Sequence, residues 1–308
     1  MKSNINFHIH TEYSDGGKTV AEIVAGLKAA GVENFSITDH DQVRGNIEAA
    51  ELAKRYGMTH INGVELSCCF DGEVGFDESY VFHIVGLGID IEKMQDELSR
   101  ISFEKESKLW LLLTALCNDY GRLIGCDGIF SADHKIIERK SIAKALIKCG
   151  YAADMNEAFS KILNSDKYRH YAKNVPTIQE GLEIIKRCDG LAVWAHPFGV
   201  ARGGKKDLTE RQVTELSVKM LEYGIDGIEA YYQHYTAAQI KFLEALAGKY
   251  NLLKSVGTDY HGAPPDKVND PEYAAKVREQ LYFEVDSIKA DGTIVEMLNR
   301  RAENKNNK

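Results

Sequence analysis

Short apolar strands alternate with amphipathic helices along most of this 308-residue chain. Strands are expected at residues 4–10, 35–38, 59–66, 80–87, 190–195, 225–230 and 252–257. The intervening helices are expected at residues 19–30, 45–56, 177–186, 209–223 and 236–250. This alternation predicts parallel strands joined by right-handed helical crossovers, with the carboxyl ends of the strands converging on one rim. It favours an α/β fold of the (β/α) barrel kind, with seven strands rather than eight.

The alternation is interrupted in the middle of the chain. Helical signals begin near residue 91 and continue to about residue 164, and no strand is expected among them. We therefore predict that residues 1–99 and 176–308 form the barrel and that residues 100–175 form a helical insertion subdomain roofing its rim. Beyond residue 263 we expect a Pro-Pro turn, a strand at 281–285 and a terminal helix.

Composition limits the class of protein. The formal net charge of −8 argues against a long nucleic acid as the partner. Six cysteines without regular spacing are typical of reduced thiols. The sequence shows neither a signal peptide nor an apolar run of about 18 residues, the length that spans a membrane. We expect a soluble cytoplasmic protein with no membrane partner, either a monomer or a small homo-oligomer.

The first expected strand carries two histidines on one face. His8 and His10 lie side by side because strand side chains alternate, which turns Ile9 into the core. Asp15 follows in a Ser-Asp-Gly-Gly turn that can fold back toward the strand end. Two imidazoles and a carboxylate can begin a metal site. A solvated pair is the alternative, so the prediction depends on partners elsewhere in the chain.

Further histidines and acidic residues lie at or near other expected strand ends. The full set is His8, His10, Asp15, His40, Glu65, His83, His196, Asp259 and His261. A single member such as His83 can also be a hydrogen-bonded core histidine. Imidazole and carboxylate ligands suit Mn²⁺, Fe²⁺ or Zn²⁺, and nine ligands suit two or three ions with positions open for water and substrate. Clustered metals of this kind favour phosphate ester hydrolysis.

Several of these residues lie in motifs that resemble, in order, those of the PHP (polymerase and histidinol phosphatase) family. The matching segments are residues 7–11, 14–16, 37–41, 63–67, 195–197 and 257–262. The resemblance extends over residues 1–262. It is closest to stand-alone phosphoesterases acting on small nucleotides such as nucleoside 3′,5′-bisphosphates. It implies a distorted seven-stranded (β/α) barrel with a trinuclear metal site.

The resemblance also implies how the ligands are divided. The first metal would be held by His8, His10, Glu65 and Asp259. Glu65 would bridge to a second metal completed by His83 and His196. The third would be held by Asp15, His40 and His261.

Residues 139–143 resemble a family segment, Arg-Pro-His-Ile-Ala, whose Arg contacts substrate phosphate. This implies a phosphate contact for Arg139, whose planar fork suits bidentate recognition. Ser141 replaces the family histidine and becomes a candidate phosphate contact, while His134 and His170 are possible substitutes for that histidine. Lys167 aligns with a family lysine. The alternative for Arg139 and Lys167 is an ordinary exposed helix residue.

An aromatic segment, residues 231–235, follows another expected strand and can reach the same rim. Its rings can stack on a base or line a sugar pocket, or they can form a surface cluster. His234 within it is a candidate phosphate contact or general acid. The basic loop at 202–206 can be solvated or touch substrate.

These observations predict a metal-dependent phosphoesterase acting on a small phosphorylated metabolite, with a nucleoside 3′,5′-bisphosphate or short oligoribonucleotide as first choice. A metal-bridging hydroxide would attack phosphorus. The residues assigned to catalysis are Glu65, Asp259, Arg139 and His234. One alternative is a phosphodiesterase or phosphatase acting on a sugar phosphate, such as a cyclic ribose phosphate. A non-catalytic PHP module and an amidohydrolase are the others, although no metal-bridging Lys of the amidohydrolase kind is evident.

Overall fold

The computed structural model describes residues 4–70, 80–120, 139–171, 175–199, 207–262 and 294. The chain forms two compact units, one made of residues 1–97 with 177–308 and the other of residues 98–176. The expected loop at 202–206, His134 and the expected elements beyond residue 262 lie outside the described residues, apart from Ile294. No described helix has the length and apolar character needed to cross a membrane.

Eight strands are described, all in the first unit. They are β1 Ile5–Asn6, β2 Asn34–Phe35, β3 Thr59–His60, β4 Gly63–Cys69, β5 Val81–Leu87, β6 Leu191–Trp194, β7 Gly227–Tyr232 and β8 Leu253–Gly257. The α-helices are α1 Val20–Ala30, α2 Gly45–Tyr56, α3 Ile91–Tyr120, α4 Arg139–Lys148, α5 Met155–Glu157, α6 Ile178–Arg187, α7 Glu210–Glu222 and α8 Ala237–Tyr250. A π-helix, Ala158–Leu163, and a 3₁₀ turn, Arg169–Tyr171, complete the second unit.

Four helices of the first unit begin at a threonine cap. Thr19, Thr177, Thr209 and Thr236 each accept a hydrogen bond from the backbone N–H three residues later, where a Glu or Gln side chain bonds back to the cap. This reciprocal arrangement satisfies donors that the first helical turn leaves unpaired. These helices begin and end within one residue of the predicted positions, which are confirmed.

The strands form two sheets. β1, β2 and β3 are parallel, in that order, and β4 to β8 form a five-stranded sheet in chain order. Within the second sheet, β5 runs antiparallel to both β4 and β6. The prediction of parallel strands throughout is therefore wrong for β5. Only residues 70–80 connect β4 to β5, fewer than a helical crossover between parallel strands requires.

The expected strand at 59–66 is divided into β3 and β4. The chain changes sheets between them, and Asn46 holds the change by donating to Gly63 O at 2.9 Å and accepting from Gly63 N at 2.7 Å. Gly63 has no room for a side chain, because a Cβ would lie 2.1 Å from Ser36 Oγ. Packing against Ser36 and Asn46 therefore overrides the apolar run that suggested one strand.

The two sheets meet at two isolated backbone bridges. Ile9 pairs with Tyr260, and His40 pairs with Glu65, both in parallel. The described strands belong to an α/β fold with one parallel and one mixed sheet, and they do not form one continuous closed sheet. Closure into a seven-stranded barrel stays a prediction.

Each unit has its own apolar core. In the first, α1 and α2 pack on β2, and buried Ile23, Leu27, Phe35 and Ala49 belong to this cluster. In the second, the core includes Leu112, Leu116, Ile142, Leu146 and Leu163, contributed by α3, α4 and the π-helix. The first core fixes the strands whose ends carry the predicted site residues.

Candidate metal centre

Glu65 is the centre of the predicted cluster. It lies on β4, fully buried, although a lone buried carboxylate is costly. Its Oε1 lies 3.1 Å from His8 Nε2 and 3.2 Å from both His83 Nδ1 and His196 Nε2. Its Oε2 lies 3.1 Å from His10 Nε2 and 3.0 Å from His40 Nδ1. Both oxygens therefore face imidazoles, as a bridging carboxylate would.

The strand segment after β1 orients His8 and His10 as predicted. Backbone bonds to the segment after β8 hold it, with Asp259 N donating to His8 O at 2.9 Å and His10 N donating to Tyr260 O at 2.8 Å. Asp259 Oδ1 lies 3.0 Å from His10 Nε2 and 3.4 Å from His8 Nε2. Ligand atoms of His8, His10, Glu65 and Asp259 all lie within 4.8 Å of one another.

A second group surrounds Asp15. Its carboxylate lies 3.3 Å from His261 Nε2, 3.7 Å from His10 Nδ1 and 3.8 Å from His40 Nε2. These four residues also offer ligand atoms within 4.8 Å of one another. Compared with the predicted division, His10 faces both this group and the group of His8.

Asp39 holds the loop that carries Asp15. Its buried carboxylate accepts from Thr11 N at 2.7 Å, Thr11 Oγ1 at 2.8 Å and Ser14 Oγ at 2.6 Å. Successive side chains of the segment after β2 thus serve different purposes, since Asp39 binds the loop and His40 faces the cluster. The loop also packs closely on the strand, because a Cβ on Gly16 would lie 2.7 Å from the backbone of His10.

His83 and His196 complete the cluster. His83 Nδ1 lies 3.2 Å from His196 Nε2, and a third set of ligand atoms is formed by His40, Glu65 and His83. The expectation that ligands lie at carboxyl ends of strands is wrong for two residues. His83 lies near the beginning of antiparallel β5, and Glu65 lies inside β4.

The protonation of the cluster reflects its crowding. Burial alone would raise the pKa of Glu65, but His8, His83 and His40 hold it well below its usual range. Burial opposes charge on His8, yet Glu65, Glu229 and Asp259 raise its pKa well above the ordinary value. The pKa of Asp259 is likewise lowered by His8 and His10 despite burial. The site therefore favours ionised carboxylates, which are the form that binds cations.

The donor set fits divalent transition metals. The buried atoms His10 Nδ1, His40 Nδ1 and Glu65 Oε2 are not aligned for a hydrogen bond with any described residue, although His40 Nδ1 and Glu65 Oε2 lie only 3.0 Å apart. Two pairs of imidazole nitrogens, His8 with His10 and His83 with His196, lie 3.2 Å apart. Nitrogens and oxygens that converge this closely suit cations held between them.

Two members of the cluster have strained backbones. His196 has φ 30° and Asp259 has φ 51°, both in the left-handed region that non-glycine residues rarely occupy. Each follows a strand, β6 or β8, at the point where the chain leaves the sheet. Such conformations persist where surrounding contacts fix them and are concentrated at functional sites.

A cavity of about 420 Å³ opens beside the cluster. His40, His83, His196, Asp259 and His261 line it on the metal-ligand side. Its other lining residues are Phe198, Gly199, Asp207, Tyr232, His234, Tyr235 and Gln239. The predicted aromatic segment thus reaches the same cavity as the ligands. A cavity of this volume accommodates a small metabolite.

The aromatic wall packs edge to face. The Tyr232 ring lies 5.2 Å from that of His234 and 5.0 Å from that of Tyr235, both near perpendicular. Tyr232 also donates to Asp259 Oδ2 at 3.2 Å. His234 therefore lies on the cavity wall rather than in the metal-ligand sets.

Sequence reasoning missed Glu229. This residue lies inside β7, buried, with Oε1 3.0 Å from His8 Nδ1 and Oε2 accepting from His196 N at 2.7 Å. The sequence signal that points to it is a glutamate within an apolar strand, because a buried carboxylate requires hydrogen-bonding or charged partners.

Arg139, Ser141 and Lys167 belong to the second unit. The Arg139 Nη2 donates to Leu163 O at 2.9 Å and to Asn164 Oδ1 at 2.8 Å, at the end of the π-helix. Lys167 pairs with Asp119 at 2.6 Å and is mostly exposed. Ser141 is partly buried on α4. Both predicted phosphate-binding cations thus have partners inside their own unit.

A family model described as PHP domain matches residues 6–177. Curated relatives match over most of their lengths. The chain is 27% identical over 268 residues to 3′,5′-nucleoside bisphosphate phosphatase of Chromobacterium violaceum, covering 84% of this chain and 87% of that protein. It is 29% identical over 266 residues to the 5′-3′ exoribonuclease Rnm of Escherichia coli, with 84% and 86% covered.

A further curated relative and a solved structure are also similar to this chain. Phosphoribosyl 1,2-cyclic phosphate 1,2-diphosphodiesterase of Eggerthella lenta is 27% identical over 277 residues, with 83% of this chain and 94% of that protein covered. The solved structure of an amidohydrolase from Chromobacterium violaceum, with bound sulfate, superimposes with a TM-score of 0.56 at 28% identity. That likeness covers 86% of this chain and 89% of the other.

Proposed function

This chain belongs to the PHP domain family, and on that premise we propose that it hydrolyses phosphate esters of a small phosphorylated metabolite with the help of divalent metals. One observation carries the proposal. A fully buried carboxylate, Glu65, is faced by five imidazoles beside an open cavity. Metal-dependent phosphoester hydrolysis needs this combination of clustered ligands and access for substrate.

The proposed ligand sets keep the predicted division. His8, His10, Glu65 and Asp259 hold the first metal, Glu65 bridges to a second with His83 and His196, and the third group is Asp15, His40 and His261. When bound, two or three ions such as Mn²⁺, Fe²⁺ or Zn²⁺ would activate water and offset charge on phosphoryl oxygens. The first set coincides with one group of converging ligand atoms, the third is contained in another, and the second is supported by the 3.2 Å distances from Glu65 to His83 and His196.

Asp259 and His234 have proposed roles in holding the metal ligands and the substrate in place. Asp259 presents one oxygen to the histidines and accepts from Tyr232 with the other, which restricts rotation of the carboxylate. We assign His234, on the cavity wall, to phosphate binding and to protonation of the leaving oxygen.

The substrate we propose is a nucleoside 3′,5′-bisphosphate or a short oligoribonucleotide. A flat base can stack on the wall formed by Tyr232, His234 and Tyr235 while its phosphate faces the metals. The relatives named as a nucleoside bisphosphate phosphatase and an exoribonuclease support this choice. A cavity of about 420 Å³ favours the end of a nucleotide chain over a long duplex.

A second substrate class has its own support. The relative named as a phosphoribosyl cyclic phosphate diphosphodiesterase is matched over 94% of its length. A cyclic ribose phosphate uses the same metals and needs less of the aromatic wall. Removing the aromatic wall should therefore lower activity on a nucleotide more than activity on a cyclic ribose phosphate, which distinguishes the two substrate classes.

Two other readings have less support. A non-catalytic PHP module has no need for the complete set of nine predicted ligands, all of which lie in the cluster. An amidohydrolase, the name of one structural neighbour, commonly uses a metal-bridging lysine. No lysine is found among the described residues that line the cavity.

We propose that residues 100–175 form an insertion that determines substrate choice. Within it, we propose that Arg139, Ser141 and Lys167 contact the substrate phosphate. We also retain closure of the strands into a distorted seven-stranded barrel. The bridges Ile9–Tyr260 and His40–Glu65, which link the two sheets, support it.

A phosphate-release screen tests the proposed function. Metal-stripped protein is supplied with Mn²⁺ and offered nucleoside 3′,5′-bisphosphates, dinucleotides, cyclic ribose phosphates, sugar phosphates and a panel of amides. We expect release from a phosphate ester only with metal, and its loss in His196→Ala. Cleavage of an amide alone, or phosphate release unchanged in His196→Ala, would reject the assignment.

A further inference from the structure

Glu229 lies next to the proposed metal ligands but belongs to none of the candidate ligand sets. It is 2% exposed, inside β7. Its two oxygens reach two different ligands, since Oε1 lies 3.0 Å from His8 Nδ1 and Oε2 accepts from His196 N at 2.7 Å. A single buried carboxylate thus connects a histidine of the first proposed metal with one of the second.

The contact with His8 determines which ring nitrogen is available. His8 Nε2 faces the cluster, 3.1 Å from Glu65 Oε1 and 3.4 Å from Asp259 Oδ1. An imidazole that binds a metal is neutral, with its proton on one nitrogen and its lone pair on the other. Because an ionised carboxylate only accepts, Glu229 would keep the proton of a metal-binding His8 on Nδ1 and leave the Nε2 lone pair free for the proposed metal.

The contact with His196 acts on the backbone. The left-handed φ of 30° at this residue is unfavourable for a side chain with a Cβ. Glu229 satisfies the backbone N–H in that conformation, which directs the imidazole to Glu65 Oε1 at 3.2 Å. One side chain therefore holds the ring of His8 and the backbone of His196.

Gly257 makes room for this arrangement. A Cβ at this position would lie 2.0 Å from Glu229 Oε1 and 2.4 Å from His8 Cβ. The last residue of β8 thus has to be glycine for Glu229 and His8 to meet as they do. The contact is built into the packing of β7, β8 and the segment that follows β1.

We propose that Glu229 is a positioning residue that fixes His8 as an Nε2 ligand and His196 in its left-handed conformation. This inference rests on the metal centre of the proposed function. In Glu229→Gln an NH₂ group replaces one of the two contacting oxygens and cannot accept a hydrogen bond, so either His8 Nδ1–H or His196 N–H loses its acceptor.

The test compares Glu229→Gln with Glu244→Gln. Glu244 is a matched control, because it accepts from Tyr231 OH at 2.9 Å, on the strand that carries Glu229. Zn²⁺ affinity of the full chain is measured by competition with a chromophoric chelator, and folding of the metal-free variants by thermal unfolding. We expect Zn²⁺ binding about 10- to 100-fold weaker in Glu229→Gln and unchanged in Glu244→Gln.

Two further readouts separate positioning from a purely structural role. In zinc-loaded wild type, ¹⁵N NMR of labelled histidine should show His8 protonated on Nδ1 only. In Glu229→Gln, His8 should no longer be found in this single protonation form. In a His8→Gln background, Glu229→Gln should weaken Zn²⁺ binding much less than in wild type. If Glu229→Gln fails to fold, Gly257→Ala serves as the second variant and is expected to weaken Zn²⁺ binding as well.

Wild-type affinity in folded Glu229→Gln, or an unchanged His8 state, would overturn the inference. It would also be overturned if Glu229→Gln does not fold and folded Gly257→Ala binds Zn²⁺ like wild type. Failure of wild type itself to bind Zn²⁺ would overturn the proposed metal centre and this inference together. Binding by wild type with no difference in the variants would overturn this inference alone.

Discussion

Tyr232 donates its hydroxyl hydrogen bond to Asp259 Oδ2, 3.2 Å away, while Asp259 Oδ1 faces the histidines. Burial, together with Asp259 and Glu229, raises the pKa of Tyr232, so the hydroxyl stays a donor at neutral pH. Tyr232 also lines the cavity. One residue therefore connects the aromatic wall with the proposed first metal.

Removing that hydroxyl and removing the whole ring should have different effects. Tyr232→Phe loses a hydrogen bond to a charged partner and should lower kcat about 5- to 50-fold, with little change in KM. Tyr232→Ala should in addition raise KM for a nucleoside bisphosphate about 5- to 100-fold, because base stacking is lost. Steady-state kinetics with the bisphosphate and with a ribose phosphate measure both effects. An equal rise in KM for the two substrates would argue against base stacking.

Asp39 should determine how well the Asp15 loop is held. Asp39→Ala removes the acceptor for Thr11 N, Thr11 Oγ1 and Ser14 Oγ, and should lower the free energy of unfolding by about 2–5 kcal/mol. Metal content should also fall, and we expect a similar fall in Asp15→Ala. Asp39→Asn, which keeps an acceptor for Thr11 N, is the control and should retain most of both properties. Metal analysis and denaturant unfolding provide the readouts, and an unchanged metal content in Asp39→Ala would contradict this role.

His60 should make the protein sensitive to acid. Its ring nitrogens are buried without partners among the described residues, and burial lowers its pKa from 6.5 to about 3. As the pH falls below 6.5, the unfolded chain binds a proton that the folded chain binds only near pH 3. Stability is therefore lost from pH 6.5 downward, by up to about 1.4 kcal/mol per pH unit.

His60→Leu tests this dependence, since leucine fills a similar volume beside Phe35 without a titrating group. The variant should be more stable than wild type, and its advantage should grow between pH 6.5 and pH 4. Urea unfolding at several pH values measures the difference. A constant difference across that range would show that His60 does not bind the proton.

Arg139 has a structural contact and a proposed contact with phosphate. Arg139→Ala should lower the melting temperature, because Leu163 O and Asn164 lose their donor. If the guanidinium also binds phosphate, KM should rise about 10-fold or more, corresponding to a lost charge-assisted bond. Lys167→Ala, which removes an exposed cation paired with Asp119, should raise KM only about 2-fold. A lower melting temperature with unchanged KM would leave Arg139 a structural role only.

Local sequence signals were sufficient for much of the fold and for the membership of the cluster. The Thr caps and the glycine after α1 mark helix ends through contacts within a few residues. His8, Asp15 and Asp259 could be found because strand periodicity and family motifs place them at strand ends. All nine predicted ligands lie in one cluster, although their metal-binding roles stay a prediction.

Features determined by distant contacts were not predictable in this way. The reversal of β5, which brings in His83 from the opposite direction, depends on pairing with β4 and β6. The break before Gly63 depends on Ser36 and Asn46. Glu229 meets His8 across 221 residues of sequence, and no local pattern specifies that contact.

The most direct measurement is phosphate release from adenosine 3′,5′-bisphosphate by metal-stripped protein titrated with Mn²⁺. The proposed function predicts no release without metal, followed by a rise that saturates at two or three equivalents of Mn²⁺ per chain. His196→Ala, assayed in parallel, should stay inactive throughout the titration. Undiminished release by the stripped protein, or saturation at a single equivalent, would contradict a multinuclear metal-dependent phosphoesterase.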